Sequence, residues 1–357
     1  MSKVAIIIPA YEPDERLIHL VDDLDNSSLG PIYIVNDGSG RQYDGIFDKL
    51  KEVVEEGGGS ILQHDTNKGK GRALKTAFEY ILKNAKDVQA VVTADSDGQH
   101  TCGCINNVIE ASLKAPRCLI LGVRTFDQDD IPWKSRFGNT LTEKIFKYIT
   151  GVHITDTQTG LRAIPKDFLE EAINIKGERF EYEMRMLVVA ADKMKIIEIP
   201  IQTIYDSKDN HQTHFDPLKD SIKIYRVLCE RFFKFLFSSL SSCVVDILLF
   251  GVLCSLLKQA EPVLYIAYST VIARVISAVY NYILNYRVVF NSDEKNYKAA
   301  VKYFSLAVIQ MCCSALFVTG LCRTWPNIPE FIFKIIVDTA LFFISYVIQQ
   351  RLVFKKR

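Results

Sequence analysis

At 357 residues, 48% of them hydrophobic, the chain is too long for one ordinary core, so two or more units are expected. Its formal net charge of +1 hides an asymmetry: residues 1–230 carry 29 Lys+Arg against 36 Asp+Glu, and residues 231–357 carry 14 against 6. That split argues for two bodies in different surroundings and against a nucleic-acid binder, whose basic patch would lie on a soluble domain. Nine scattered cysteines lack a framework spacing and read as reduced thiols, and Cys102 with Cys104 has no second Cys/His pair to complete a zinc site. The opening MSKVAIIIPAYEP is too short in apolar residues for a signal peptide, so the front half is expected in the cytoplasm.

Apolar, β-branched runs at Val4–Ile8, Ile32–Val35, Ser60–Gln63, Val88–Thr93 and Cys118–Val123 predict strands. Segments of helical period, Arg16–Leu24, Ile46–Val54 and Ala73–Leu82, lie between them, and a helix at Arg179–Ala191 precedes a strand at Lys195–Ile201. Alternation of this kind predicts an α/β domain with a mostly parallel sheet and ligands at the carboxyl ends of its strands. Its expected extent is residues 1–215. Residues 216–231 read as a juxtamembrane amphipathic helix lying along the membrane surface.

Residues 232–357 form the expected all-α membrane domain. Four apolar blocks, roughly 235–257, 263–284, 303–322 and 331–349, each have about the twenty residues that span a bilayer. With both ends inside, the cytoplasmic segments take nearly all the Lys and Arg, and the external loops hold only Lys258 and Arg323. The competing reading is a soluble bundle of four buried helices. Four charges fall within the spans: Lys334 and Asp338 can pair on one helix face, and Asp246 and Arg274 across neighbouring spans. Together with the stripe Arg274, Ser277, Asn281 and Asn285, they either fix helix packing or line a path for a lipid phosphate. No internal repeat stands out.

The chemistry concentrates where strands end. After the fourth strand comes 94-ADSDGQH-100, in which an extended backbone would turn Asp95, Asp97 and Gln99 the same way. Oxygen-only donors suit Mg²⁺ or Mn²⁺ bridging to substrate phosphates, and the competing reading is an Asx turn without an ion. An EF-hand is excluded, with His100 and Asn106 where Gly and Glu belong. The first strand ends in Pro9-Ala-Tyr11-Glu12 and the second in 36-NDGS-39, a ring to stack on a base and carboxylates to accept its N–H groups; a plain βα turn fits 36–39 as well. In 67-NKGKGRALK-75, glycines and cations, Lys70 among them, open a helix where free N–H groups favour anions. That stretch lacks P-loop spacing, and no G-x-G-x-x-G follows the first strand, against a dinucleotide oxidoreductase. Ahead of the spans, Lys208, Asn210, His211, His214 and Lys219 form either a guide for an anionic lipid head or a solvated linker.

The ordered set IIIPAYEP, NDGS, NKGKG, ADSDGQH, GVR (Gly122–Arg124), SRFGN (Ser135–Asn139) and DTQTGLR (Asp156–Arg162) resembles family 2 glycosyltransferases of GT-A fold. More narrowly it resembles the polyprenyl-phosphate hexose and dolichol-phosphate-mannose synthases. The tail, with RFFKFLFSSLSSCVVD, ARVISAVYNYILNYRVVF and a final QQRLVF, resembles the GtrA-type four-helix membrane domain. Asn36 and Glu12 depart from residues frequent in such relatives. The resemblance implies an inverting transfer of a hexose from UDP-glucose or GDP-mannose to a polyprenyl phosphate at the cytoplasmic face, for cell-envelope glycan modification. It implies that Pro9, Tyr11, Glu12 and Asp37 hold the nucleoside and Lys70 the donor. Asp95, Asp97 and Gln99 would hold Mg²⁺ or Mn²⁺, and Arg124 and Arg136 would meet phosphates. Asp156, Gln158, Thr159 and Arg162 would face the acceptor, with Asp156 orienting it through Arg162 or acting as a base; Asp97, Asp156, Arg124 and Arg162 are the expected catalytic set. A processive polysaccharide synthase would need a Q-x-x-R-W element that is absent. The rival of another class is a lipid-linked-sugar carrier or flippase with a non-catalytic front domain, and a homo-oligomer through the membrane domain is compatible with either.

Overall fold

The computed structural model describes residues 4–124, 133–202, 219–259 and 263–354, with the backbone alone for 133–137 and 219–220. The chain forms two compact units, Met1–Leu228 and Cys229–Arg357. Unit one is built on seven strands: β1 (Val4–Ala10), β2 (Ile32–Asn36), β3 (Ser60–Gln63), β4 (Ala90–Thr93), β5 (Leu119–Arg124), β6 (Arg162–Pro165) and β7 (Ile196–Ile201). Its helices are α1 (Glu15–Asn26), α2 (Asp44–Glu56), α3 (Lys70–Asn84), α4 (Cys102–Lys114), α5 (Trp133–Thr150), α6 (Lys166–Asn174) and α7 (Phe180–Lys193). The sheet runs β3-β2-β1-β4-β6-β5-β7 and is parallel except for β6, which is antiparallel to both its neighbours.

The central strands carry unbroken apolar runs because both sheet faces are covered. Val4, Ile6 and Ile8 pack with Leu17, Leu20 and Leu24 of α1, Leu50 and Val54 of α2, and Ile105 and Val108 of α4. The alternate residues Ala5 and Ile7 are buried as completely. Side chains close the helix starts, Asp14 accepting from Arg16 N ahead of α1 and Thr101 from Cys104 N ahead of α4.

All six predicted strands form, each within two residues of its expected limits at either end. Periodicity does not single out β6, α4, α5 or α6. β6 is four residues long and bounded by Arg162 and Pro165, so it lacks the apolar run that marks its neighbours. The described part of the stretch expected as an amphipathic juxtamembrane helix forms the start of α8 (Lys219–Leu257), one continuous helix of 39 residues. Its Ile224, Val227 and Leu228 are buried, and Tyr225 Oη lies 3.2 Å from Thr142 Oγ1 of α5, so its early turns pack on protein.

Unit two continues with α9 (Tyr265–Leu284), α10 (Asn296–Thr324) and α11 (Glu330–Ile348). All four helices, α8 included, are long and apolar enough to cross a membrane. Both expected charge pairs are present: Arg274 lies 3.3 Å from Asp246 and Lys334 3.0 Å from Asp338. A hairpin repeat that the sequence hides also emerges. α9 and α11 each run into one π-helical turn, Asn285–Val289 and Gln349–Val353. Asn285 and Gln349, 64 positions apart, are hydrogen bonded at 3.1 Å, and Phe290 stacks on Phe354 at 5.2 Å. Only Arg, Val and Phe are shared between NYRVVF and QQRLVF, which leaves the repeat nearly silent in the sequence.

Candidate active site

Three parallel strands bring their carboxyl ends to one edge of the sheet. Ala10 of β1 sits opposite Asn36 of β2, and Ala94 N, just past β4, donates to Ile7 O at 2.9 Å. Because β6 runs the other way, its beginning reaches that same edge, with Arg162 opposite Thr93. Topology therefore joins the segment Asp156–Leu161 to ADSDGQH, although the two are far apart in the chain. Thr93 Oγ1 donates to Gly160 O at 2.7 Å, and a Cβ on Gly160 would meet Asp95 Oδ2 at 2.2 Å, so only glycine lets the two segments close up.

The first two motifs are knitted together. Asp37 N donates to Ala10 O at 2.8 Å, and Glu12 N to Ser39 Oγ at 2.9 Å, which holds Glu12 at a left-handed φ of 51°. Pro9 lies in β1 opposite Val35. The half-buried Tyr11 has its hydroxyl raised above the usual phenol value by its hydrogen bond to Glu12 and by burial.

Asp37 has a different place from the one expected. It is 3% exposed, and its Oδ1 takes His64 Nδ1 at 2.7 Å and Lys68 N at 2.9 Å while Oδ2 takes Gly69 N at 2.8 Å. With both oxygens engaged inside the protein, it fastens the NKGKG loop rather than offering acceptors to a base. His64 Nε2 lies 2.9 Å from Thr76 Oγ1, anchoring the loop to α3.

The D-x-D segment turns instead of running extended. Gly98 has φ +74° and Gln99 N donates to Asp97 Oδ1 at 3.0 Å, so the Asx turn is present. The two aspartates still feel each other: burial first, and then the charge of Asp95, raises Asp97 above the usual carboxylate range. Burial also favours a neutral Asp95, but Lys70, with His100 and Arg124 behind it, outweighs that and holds its carboxyl at about 2. Lys70 Nζ is 2.7 Å from Asp95 Oδ1 and 3.0 Å from Glu183 Oε2. Burial lowers His100 below the ordinary imidazole range, and its Nδ1 accepts from Asp95 N at 3.3 Å. Asp95 and Asp97 bring two interacting carboxylates together, and no third acidic, His or Cys side chain joins them among the described residues, so they fit a hard divalent ion whose other ligands a substrate and water would supply.

Asp156 is fully buried and pairs with Arg124, not Arg162. Arg124 Nε and NH2 donate to its two oxygens at 2.7 and 3.1 Å. Arg162 is 1% exposed and spends its guanidinium on backbone, donating to Thr159 O and Glu183 O at 2.8 Å each and to Thr157 O at 3.4 Å. Thr159 is buried as well, its Oγ1 donating to Gly122 O. Both therefore brace the segment and cannot face an acceptor, whereas Gln158 is exposed beside them. The side chain of Arg136, and the whole of Lys208, Asn210, His211 and His214, lie outside the described residues, as does the side chain of Lys219.

Sequence reasoning missed Glu183 and His64. Glu183 sits in the first turn of α7 with no motif to flag it; its signal is a carboxylate on the buried face of an otherwise apolar stripe, Tyr182-Glu183-Met184-Met186-Leu187.

Residues 5–172 match the family described as glycosyl transferase family 2, and residues 234–354 match the GtrA/DPMS transmembrane domain. An uncharacterised protein of Methanocaldococcus jannaschii is 27% identical over 209 residues, 57% of this chain and 82% of its own. The UDP-N-acetylglucosamine–dolichyl-phosphate N-acetylglucosaminyltransferase of Methanococcus voltae is 29% identical over 220 residues, 57% of this chain and 86% of its own. A solved mannosyltransferase from Pyrobaculum calidifontis, in complex with GDP-Man and Mn²⁺, aligns over 98% of this chain and 87% of its own at 13% identity and a TM-score of 0.41. The chain accordingly carries a family 2 glycosyl transferase domain over residues 5–172 and a GtrA/DPMS transmembrane domain over residues 234–354, the make-up of a multi-pass membrane glycosyltransferase.

Proposed function

We propose that the enzyme moves a hexose from a nucleotide sugar to a polyprenyl phosphate at the cytoplasmic face of the membrane, with inversion at the anomeric carbon. The observation that carries this reading is the convergence of Lys70, Asp95, Gly160 and the Arg124–Asp156 pair at one sheet edge. A phosphate-rich donor and a phosphate acceptor call for that density of cations beside carboxylates. The cytoplasmic orientation rests on the sorting of basic residues between the segments that join the spans.

Asp95, Asp97 and Gln99 would hold Mg²⁺ or Mn²⁺, and the chemistry expected of an ion so held is withdrawal of charge from the departing nucleoside diphosphate. Tyr11 stacks on the base, with Pro9 and Glu12 beside it, and Asp37 acts indirectly by fixing the loop that presents Lys70. In the reaction a phosphate oxygen of the acceptor bonds to the anomeric carbon as the bond from that carbon to the diphosphate breaks. The acceptor needs little help from a base, because a phosphate monoester with a second pKa of about 6 is mostly ionised at neutral pH. Asp156 therefore serves by locking the guanidinium of Arg124 toward the phosphates.

The test is incubation of membranes holding the protein with labelled nucleotide sugar and undecaprenyl phosphate. Metal-dependent appearance of a chloroform-soluble, mild-acid-labile product is expected. UDP-glucose and GDP-mannose lead the donor screen, joined by UDP-N-acetylglucosamine because the Methanococcus voltae relative is named for that donor. No turnover with any of these would favour the carrier or flippase reading.

A further inference from the structure

Lys70 stands where it should interfere with the proposed ion. Its ammonium lies 2.7 Å from Asp95 Oδ1, and a divalent cation on that carboxylate would meet it as a like charge. Pushed off Asp95 without another acceptor, an ammonium on a side chain only 18% exposed would lose its counter-charge, which is costly. Glu183 supplies the alternative. Its Oε2 already touches the ammonium at 3.0 Å, and its Oε1 is buried without a hydrogen-bond partner among the described residues. An orphaned carboxylate oxygen beside a lysine is unused capacity to accept.

Glu183 is also held rigidly. Arg162 NH1 donates to its carbonyl at 2.8 Å, and α3 is pressed onto α7 so closely that a Cβ on Gly71 would come within 2.5 Å of Tyr182 Cβ. Lys70 opens α3 and Glu183 lies in the first turn of α7, so the packing of the two helices fixes the distance the ammonium has to travel.

We propose that Glu183 is the positioning residue for Lys70: it takes the ammonium over when a divalent cation claims Asp95, so that both positive charges remain at the donor's pyrophosphate. This rests on the metal reading above. Without Glu183, Lys70 keeps Asp95 as its one carboxylate partner among the described residues and competes fully with the ion.

The experiment is Mn²⁺ titration of the purified full chain in detergent without donor, followed by electron paramagnetic resonance. Glu183→Gln should raise the Mn²⁺ dissociation constant about tenfold through loss of one charged partner. Lys70→Met should lower it, and in the Lys70→Met background the second change Glu183→Gln should shift it by less than about twofold, since Glu183 acts through Lys70. A tenfold effect that persists in that background would overturn the proposal in favour of plain attraction between Glu183 and the ion. So would an unchanged constant in Glu183→Gln that melts like the parent. Absence of Mn²⁺ binding by the parent chain would instead sink the metal reading, and this inference with it.

Discussion

The two units pair their charges in different ways. In unit one the ions are shared: Lys70 divides itself between Asp95 and Glu183, and Arg124 meets Asp156 while its charge reaches Asp95. In the membrane unit the two acids within the spans each close a set with one base and one serine. Asp246 takes Arg274 and the hydroxyl of Ser277 at 3.0 Å; Asp338 takes Lys334 and that of Ser314 at 2.6 Å. Shared ions leave capacity for an incoming charged ligand, whereas closed sets fasten neighbouring helices. The difference separates a site from a clasp.

The largest effect expected from that contrast falls on Asp95 and Asp97. Replacing both by alanine, or adding excess EDTA to the parent, should cut turnover by about 10³ or more while the folded protein persists. Full turnover in EDTA would break the comparison at its root. Next comes Asp156→Asn, which frees Arg124 from its bidentate grip and should cost roughly 10² in rate. If Asp156 only orients, the pH profile of the remaining activity keeps the parent's shape and Arg124→Lys reproduces the loss, because an ammonium cannot make the fork. A changed acid limb would restore the base reading, and an unchanged rate would rule out both roles.

What the sequence shows of this arrangement depends on the range of the signal. Strands such as Val4–Ala10 are legible because two-sided burial writes itself as a continuous apolar run. The D-x-D segment is legible because its donors are neighbours in the chain. β6 is not, since four residues pinned by long-range pairing to β4 and β5 leave no period to read. The partner of Asp156 is hidden for the same reason: Arg162 is nearer in sequence, but the antiparallel turn of β6 sends it into the core and leaves Arg124, from the end of β5, to make the pair. Asp37 misleads because a carboxylate at a strand end looks the same whether it faces a ligand or a loop amide.

On the membrane side the contrast predicts smaller effects. Asp246→Asn or Arg274→Gln should each destabilise the detergent-solubilised protein by about 1 kcal/mol, and the double variant by less than the sum. Turnover per folded molecule should hold. A fall in turnover well beyond the loss of folded protein would turn the clasp into part of the lipid-phosphate path.

The smallest effect, and the sharpest in sign, concerns the tie between α3 and the start of α7. Arg72 Nε and NH2 bind the carboxylate of Glu178 at 2.7 and 2.8 Å, and Lys75 Nζ approaches it at 3.3 Å. Burial works against the ionised acid, but the hydrogen bonds from Arg72 and Lys75 outweigh it and leave Glu178 below its ordinary value of 4.5. A folded value lower than the unfolded one means the contribution is fully present above 4.5 and fades as pH falls through the folded value. Thermal midpoints of the parent and Glu178→Gln should therefore differ most at neutral pH and converge in acid. Because the carboxylate is 44% exposed, the gap should be small and should shrink further in high salt. A gap that widened on acidification would mean that the neutral acid, not the ion, holds the two helices together.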